Sequence, residues 1–173
     1  MLRCTAHNHQ GYTLAEILVA FAMFGILSAL ALPSLVGLLN RQKVNSAFND
    51  LRAALFEAQA AAAKTSSQCI VTVSTGSDPV TVKAVDPQNK PCIVNRTLQQ
   101  GVKVSENYPS SGQIVFSLKG NTTDEGTLVL YWASQPSLQK KCIVTSLGIG
   151  IIRSGDYTGD PQSANAANCK TTP

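Results

Sequence analysis

The side chains that most often carry covalent chemistry are scarce in this chain and poorly placed for it. Its two histidines, His7 and His9, lie near the start beside Cys4, and no histidine follows. A Ser-His-Asp or Cys-His site needs a histidine next to its nucleophile, and a histidine-ligated metal needs several together. Cys4, His7 and His9 offer three ligands without a fourth, so chance proximity is the better account. No G-x-x-x-x-G-K-[ST] phosphate loop is present, nor a GxGxxG following a strand. Asp78, Asp86, Asp124 and Glu125 fall in turn-like segments, where solvated loop charge is the ordinary reading. These patterns predict a non-enzymatic protein with no catalytic residue, no metal and no cofactor.

Two features with chemical consequence remain. Beyond Cys4 there are four cysteines, Cys69, Cys92, Cys142 and Cys169, all in the polar part of the chain. Four cysteines in a domain outside the cytoplasmic membrane suggest two disulfides. Three connectivities exist and the sequence does not choose among them. The preferred pairing is Cys69–Cys92, between neighbouring strands, with Cys142–Cys169 pinning the tail; buried free thiols are the alternative.

The second feature is Glu16. It stands at the head of an apolar run, Ile17 to Leu39, that contains no charge and only Ser28 and Ser34 as polar side chains. The run meets the roughly 20 residues needed to cross a bilayer core. A secretory signal peptide is a poorer fit, because residues 1–11 carry one cation, Arg3, and the apolar run is too long. A carboxylate at membrane depth is expensive, and is expected to be paired and functional or else to snorkel to the interface. Pro33 lies within the same run. It is either a tolerated kink or a place where helical hydrogen bonds give way.

These residues need elements to position them. Val44, Phe48, Leu51, Leu55, Ala58 and Ala62 recur every three or four residues and share one helical face. The alanine-rich "AALFEAQAAAAK" has high helix propensity. With no break except Pro33 and Gly37, the pattern predicts one helix over about residues 13–64, about 75–80 Å long. From Gln68 onward short β-rich runs follow: "CIVTVST", "VTVKAV", "CIVNRTL", "VKVSE", "QIVFSL", "GTLVLYWA" and "KCIVTSLGIGIIRS". Turn segments such as "TGSDP", "DPQNKP", "YPSSG" and "KGNTTDEG" separate them. Short turns favour an antiparallel meander, covered on one side by the amphipathic helix. The tail from Asp156 to Pro173 reads as irregular. The predicted class is α+β.

The stretch "GYTLAEILVAFAMFGILSALALPSL" resembles the processing signal of type IV pilins and type II secretion pseudopilins. The resemblance implies a pilin-like fold and cleavage by a prepilin peptidase after Gly11. It also implies N-methylation of Tyr12, where phenylalanine is the usual residue. The family's acidic residue falls on Glu16 and its proline on Pro33, both with roles in assembly. The implied organisation is a leader (1–11), a membrane-spanning or filament-core half-helix (12–39), an amphipathic half (40–66) and a β-rich domain (67–173). Implied partners are other pilin or pseudopilin subunits, an assembly platform and lipid of the inner membrane. The protein would cross that membrane once, with its β domain outside, and reach a cell-surface filament. The leader departs from the family in carrying a single cation.

Further along, "LRAALFEAQAAAAKTSSQCIVTV" is similar to GspH/FimT-type minor pilins, and "KCIVTSLGIGIIRSG" to their later strands. Some members bind DNA through a G-R-x-R-x-G-like motif. Here the matching residues are Gly150, Ile151, Ile152, Arg153, Ser154 and Gly155, so the first arginine is absent. Arg153 with Lys140, Lys141 and Lys170 forms a possible DNA-binding patch, against a reading of these as solvated surface charges. The net charge of +4 does not by itself imply nucleic-acid binding. The resemblance thus implies a minor pilin. A DNA receptor for uptake and a type II secretion pseudopilus subunit are its alternatives.

Overall fold

The computed structural model describes residues 11–110 and 112–171, and only the backbone at residues 30–33. Cys4, His7 and His9 lie outside the described residues. One helix, α1, runs Leu14–Thr65 without interruption through Pro33 and Gly37. The chain divides into two compact units, the second beginning at Leu39.

In the second unit the helix period is converted directly into burial. Val44, Ala47, Leu51, Ala54, Leu55, Ala58 and Ala62 are fully buried on one face. Burying each of the two leucines is worth about 1.5–3 kcal/mol relative to exposure. The β-domain strands are β1 Cys69–Val73, β2 Thr81–Val85, β3 Arg96–Thr97, β4 Val102–Glu106 and β5 Gln113–Phe116. They continue with β6 Gly126–Trp132, β7 Lys141–Thr145, β8 Ile152–Tyr157 and β9 Cys169–Thr171. They form two antiparallel sheets, β3-β2-β1-β5 and β4-β6-β7-β8-β9. Inner-face residues of both sheets, among them Val71, Val82, Ile114, Phe116, Leu128, Leu130 and Ile143, join the helix face in one core. A smaller cluster on the outer face of the second sheet, Val129, Cys142 and Tyr157, is covered by Ala164 and Cys169 of the tail.

Three expectations are corrected here. The strands do not form one meander: β4 leaves the first sheet to pair with β6, and β5 returns to pair with β1. The reason lies in edge length, since β3 offers two residues to a partner and β6 offers seven. The run "KCIVTSLGIGIIRS" is two strands, broken by a turn over residues 146–151 that contains Gly148 and Gly150 at positive φ. The tail, in turn, is ordered into a 3-10 turn, Ala166–Asn168, and strand β9 paired with β8.

Candidate membrane-anchoring and assembly segment

The first turn of α1 is built by Thr13. The Glu16 N–H donates to both Thr13 Oγ1 (3.3 Å) and the Thr13 carbonyl (3.1 Å), so Thr13 caps the helix. Glu16 is then the third helical residue, where a carboxylate meets the positive end of the helix dipole. The Thr-x-x-Glu spacing is a capping signal that the sequence itself carries. The Glu16 side chain is exposed and makes no hydrogen bond or ion pair with the described residues. With Tyr12, Ile17, Ala20, Phe21 and Phe24 it lines an open groove of about 460 Å³, apolar apart from the carboxylate. Tyr12 is 80% exposed.

Among the described residues between Leu14 and Leu39, thirteen large apolar side chains are exposed. At about 1.5–3 kcal/mol each, leaving them in water forgoes on the order of 20–40 kcal/mol. The segment is long and apolar enough to span a bilayer. Ser28, its one described polar side chain apart from Glu16 and Ser34, donates to the Phe24 carbonyl at 2.8 Å, which satisfies the hydroxyl within the helix. Pro33 lies in unbroken helix, and its side chain lies outside the described residues.

The remaining predicted sites lie in the β domain. Cys69 is joined to Cys92 (Cα–Cα 6.2 Å) and Cys142 to Cys169 (5.8 Å), the second bridge tying β7 to the tail strand. The four cations do not form one patch. Lys141 pairs with Asp156 at 2.6 Å and lies over the Phe48 ring. Lys140 donates to the Gly159 carbonyl at 2.6 Å. Side chains alternate across a strand, so Arg153 and Asp156 project from opposite faces of β8. Lys141 and Lys170 are the cross-strand partners of Asp156, which places Arg153 on the other face of the sheet from both. Ile151 is exposed in the β7–β8 turn beside Leu147 and Ile149.

One structural residue escaped the sequence reading. Gln59 Nε2 donates to the carbonyls of Gly120 and Gly150, both at 2.8 Å, and so clamps the β5–β6 and β7–β8 turns onto α1. Its only sequence signal is a polar side chain bordering the apolar helix face.

An exposed apolar half-helix continuous with a disulfide-bonded, two-sheet domain defines a membrane-anchored subunit of pilin-like α+β architecture. Residues 6–32 match the prokaryotic N-terminal methylation motif, which supports a subunit of the type IV pilin and pseudopilin type. The motif implies processing by a prepilin peptidase and assembly with other pilin-type subunits. Among curated proteins and solved structures, none matches the chain.

Proposed function

We propose that the protein is a minor pilin or pseudopilin of the GspH/FimT type, cut after Gly11 and methylated at Tyr12. It crosses the cytoplasmic membrane once through residues 12–39, with the β domain outside, and is then drawn into a filament. The observation that carries this reading is the run of exposed large apolar side chains among the described residues of 14–39, where Glu16 is the only charge. Lipid satisfies that face in the stored subunit and neighbouring helices satisfy it in the filament. Glu16 then meets the α-amino group of a neighbour's Tyr12, which neutralises both charges and fixes the stagger between subunits. Pro33 supplies no backbone donor, so it is the natural place for helical hydrogen bonds to yield during assembly.

Mass spectrometry of the protein extracted from membranes tests the reading. The expected mature chain starts at Tyr12 and carries one added methyl group. An intact Met1 start in cells with an active prepilin peptidase would remove it. Glu16→Gln is expected to leave membrane insertion intact while excluding the subunit from filaments. Neighbouring genes of secretion or of pilus assembly distinguish the two machines.

A further inference from the structure

The outer face of the second sheet carries a cavity remote in sequence from the apolar half-helix. Thr127 on β6, Val144 on β7 and Arg153 on β8 are successive cross-strand partners and form one row. With strands about 4.8 Å apart, the Thr127 and Arg153 backbones stand roughly 10 Å from each other across Val144. This row borders a cavity of about 280 Å³ that is also lined by Asn107, Glu125 and Ser146.

Of the polar groups lining this cavity, the Thr145 hydroxyl is bonded to Tyr108 at 2.9 Å, while others keep unused hydrogen-bonding capacity among the described residues. Thr127 Oγ1 is fully buried and makes no hydrogen bond. Arg153 and Glu125 are of opposite sign, yet neither forms an ion pair, with the other or with any described residue. Asn107 uses Oδ1 to accept the Thr127 N–H at 2.7 Å, which leaves its amide nitrogen free to donate. Asn107, Glu125 and Arg153 are solvent-exposed, so it is the buried, unpaired Thr127 Oγ1 that points to an occupant, since buried polar groups are normally paired. A simple anion there would face Glu125, and a simple cation would face Arg153. An occupant carrying both charges is met by both.

The volume sets the size. It lies just under the usual range for small-molecule pockets and suits a molecule of a few heavy atoms. The tail supplies a wall through Ala166. That wall is held in place by the Cys142–Cys169 bridge and by Tyr157, whose hydroxyl donates to the Ser163 carbonyl at 2.7 Å and accepts the Asn165 N–H at 3.1 Å. We propose that this cavity binds a free α-amino acid, its carboxylate on Arg153 and the Asn107 amide and its ammonium group on Glu125.

Nitrogen-edited NMR spectra of the full chain in detergent micelles test this. The probes are glycine, alanine and serine, with acetate, methylammonium and inorganic phosphate as single-charge controls. Expected are saturable shifts confined to residues 107, 125–127, 144–146, 153 and 166 on adding an amino acid. Controls should bind at least about tenfold more weakly, because each forgoes one charge-assisted contact. Arg153→Gln and Glu125→Gln should each weaken amino-acid binding about tenfold, while Thr127→Val, isosteric and safe for the fold, weakens it severalfold. No saturable shift with any amino acid up to about 50 mM, far above the millimolar affinity such a ligand allows, would overturn the proposal. Phosphate or acetate binding as well as glycine, with no loss in Glu125→Gln, would also overturn it and leave a plain anion site.

Discussion

Replacing Gln59 should loosen two turns at once. Its amide nitrogen donates to Gly120 and Gly150 at 2.8 Å each, and the turns so held are also joined by a Gly148 N–H to Thr122 carbonyl bond of 3.0 Å. A net hydrogen bond is worth about 0.5–1.5 kcal/mol, and Gly120 and Gly150 are buried while Gln59 is partly exposed, so Gln59→Ala should cost about 2 kcal/mol. For a domain of this size that is a fall in Tm of roughly 6–8 °C. Gln59→Glu keeps the shape and is the sharper test. At neutral pH it removes both donors and sets a carboxylate against two carbonyl oxygens, for a loss of about 3 kcal/mol. The carbonyls disfavour the charged form, so the substituted carboxyl titrates above its ordinary value. Its deficit relative to wild type is therefore largest above that pKa and shrinks as pH falls through it, when one O–H donor is regained. Near-ultraviolet circular dichroism of the full chain in micelles is the suitable assay, because it follows Trp132 and the tyrosines rather than the micelle-held helix. If both variants melt within about 1 °C of wild type, or if Gln59→Glu is no worse than Gln59→Ala at neutral pH, the clamp reasoning fails.

Three further outcomes are expected. Opening the Cys142–Cys169 bridge, which closes 27 residues of chain, should cost up to about 3.5 kcal/mol on loop-entropy grounds, with β9 and the tail first to gain hydrogen exchange. Tyr108 is buried, and burial, opposed by its hydrogen bond to Thr145 and helped by Glu106, holds its phenol above the ordinary value of 10.0. The stability this contributes is complete below about pH 10 and falls by about 1.4 kcal/mol per pH unit above it; Tyr108→Phe should remove that part of the alkaline slope in denaturant titrations. Because Arg153 lies across the sheet from Lys141 and Lys170, mobility-shift titration should show no salt-sensitive DNA complex that depends on Arg153, and its loss in Arg153→Ala would contradict the split-patch geometry.

The helix was legible because its pattern and its burial coincide. Val44, Leu51, Leu55, Ala58 and Ala62 are periodic in sequence and buried in fact, and only the small Ala47 and Ala54 were missed. The β domain was legible in content and not in order. Local alternation marks a strand but does not say which edge it will join, and β4 joins β6 because β3 is too short to hold it. The segment 146–151 misled for a specific reason. Leu147, Ile149 and Ile151 alternate as a half-buried strand would, yet all three face solvent on a turn. Strand β9 could not be read at all, since "CKT" has no apolar pattern and is held by its bridge and its pairing with β8. In the anchoring segment, length and composition announced the membrane helix, whereas the capping of that helix by Thr13 required its hydrogen bonds to be seen.

That cap sharpens what Glu16 does. In the unprocessed chain it needs no partner subunit, because a carboxylate in the first turn is favoured by the helix dipole, by about 0.3–1 kcal/mol when exposed. On the proposed processing, cleavage after Gly11 creates a cationic α-amino group on Tyr12, at the end of the helix where a positive charge is least welcome. Methylation of that amine leaves the charge in place. Tyr12 and Glu16 line the same groove, so the nearest carboxylate is the subunit's own. Such an exposed pair is worth no more than about 1 kcal/mol in water. The same two charges gain severalfold once neighbouring helices exclude water and the effective dielectric falls. A subunit can therefore exchange its own weak contact for a neighbour's stronger one without crossing a large barrier of lost pairing. On the proposed assembly, the carboxylate at the head of the apolar run is tolerable in the stored state for a local reason and valuable in the filament for a collective one.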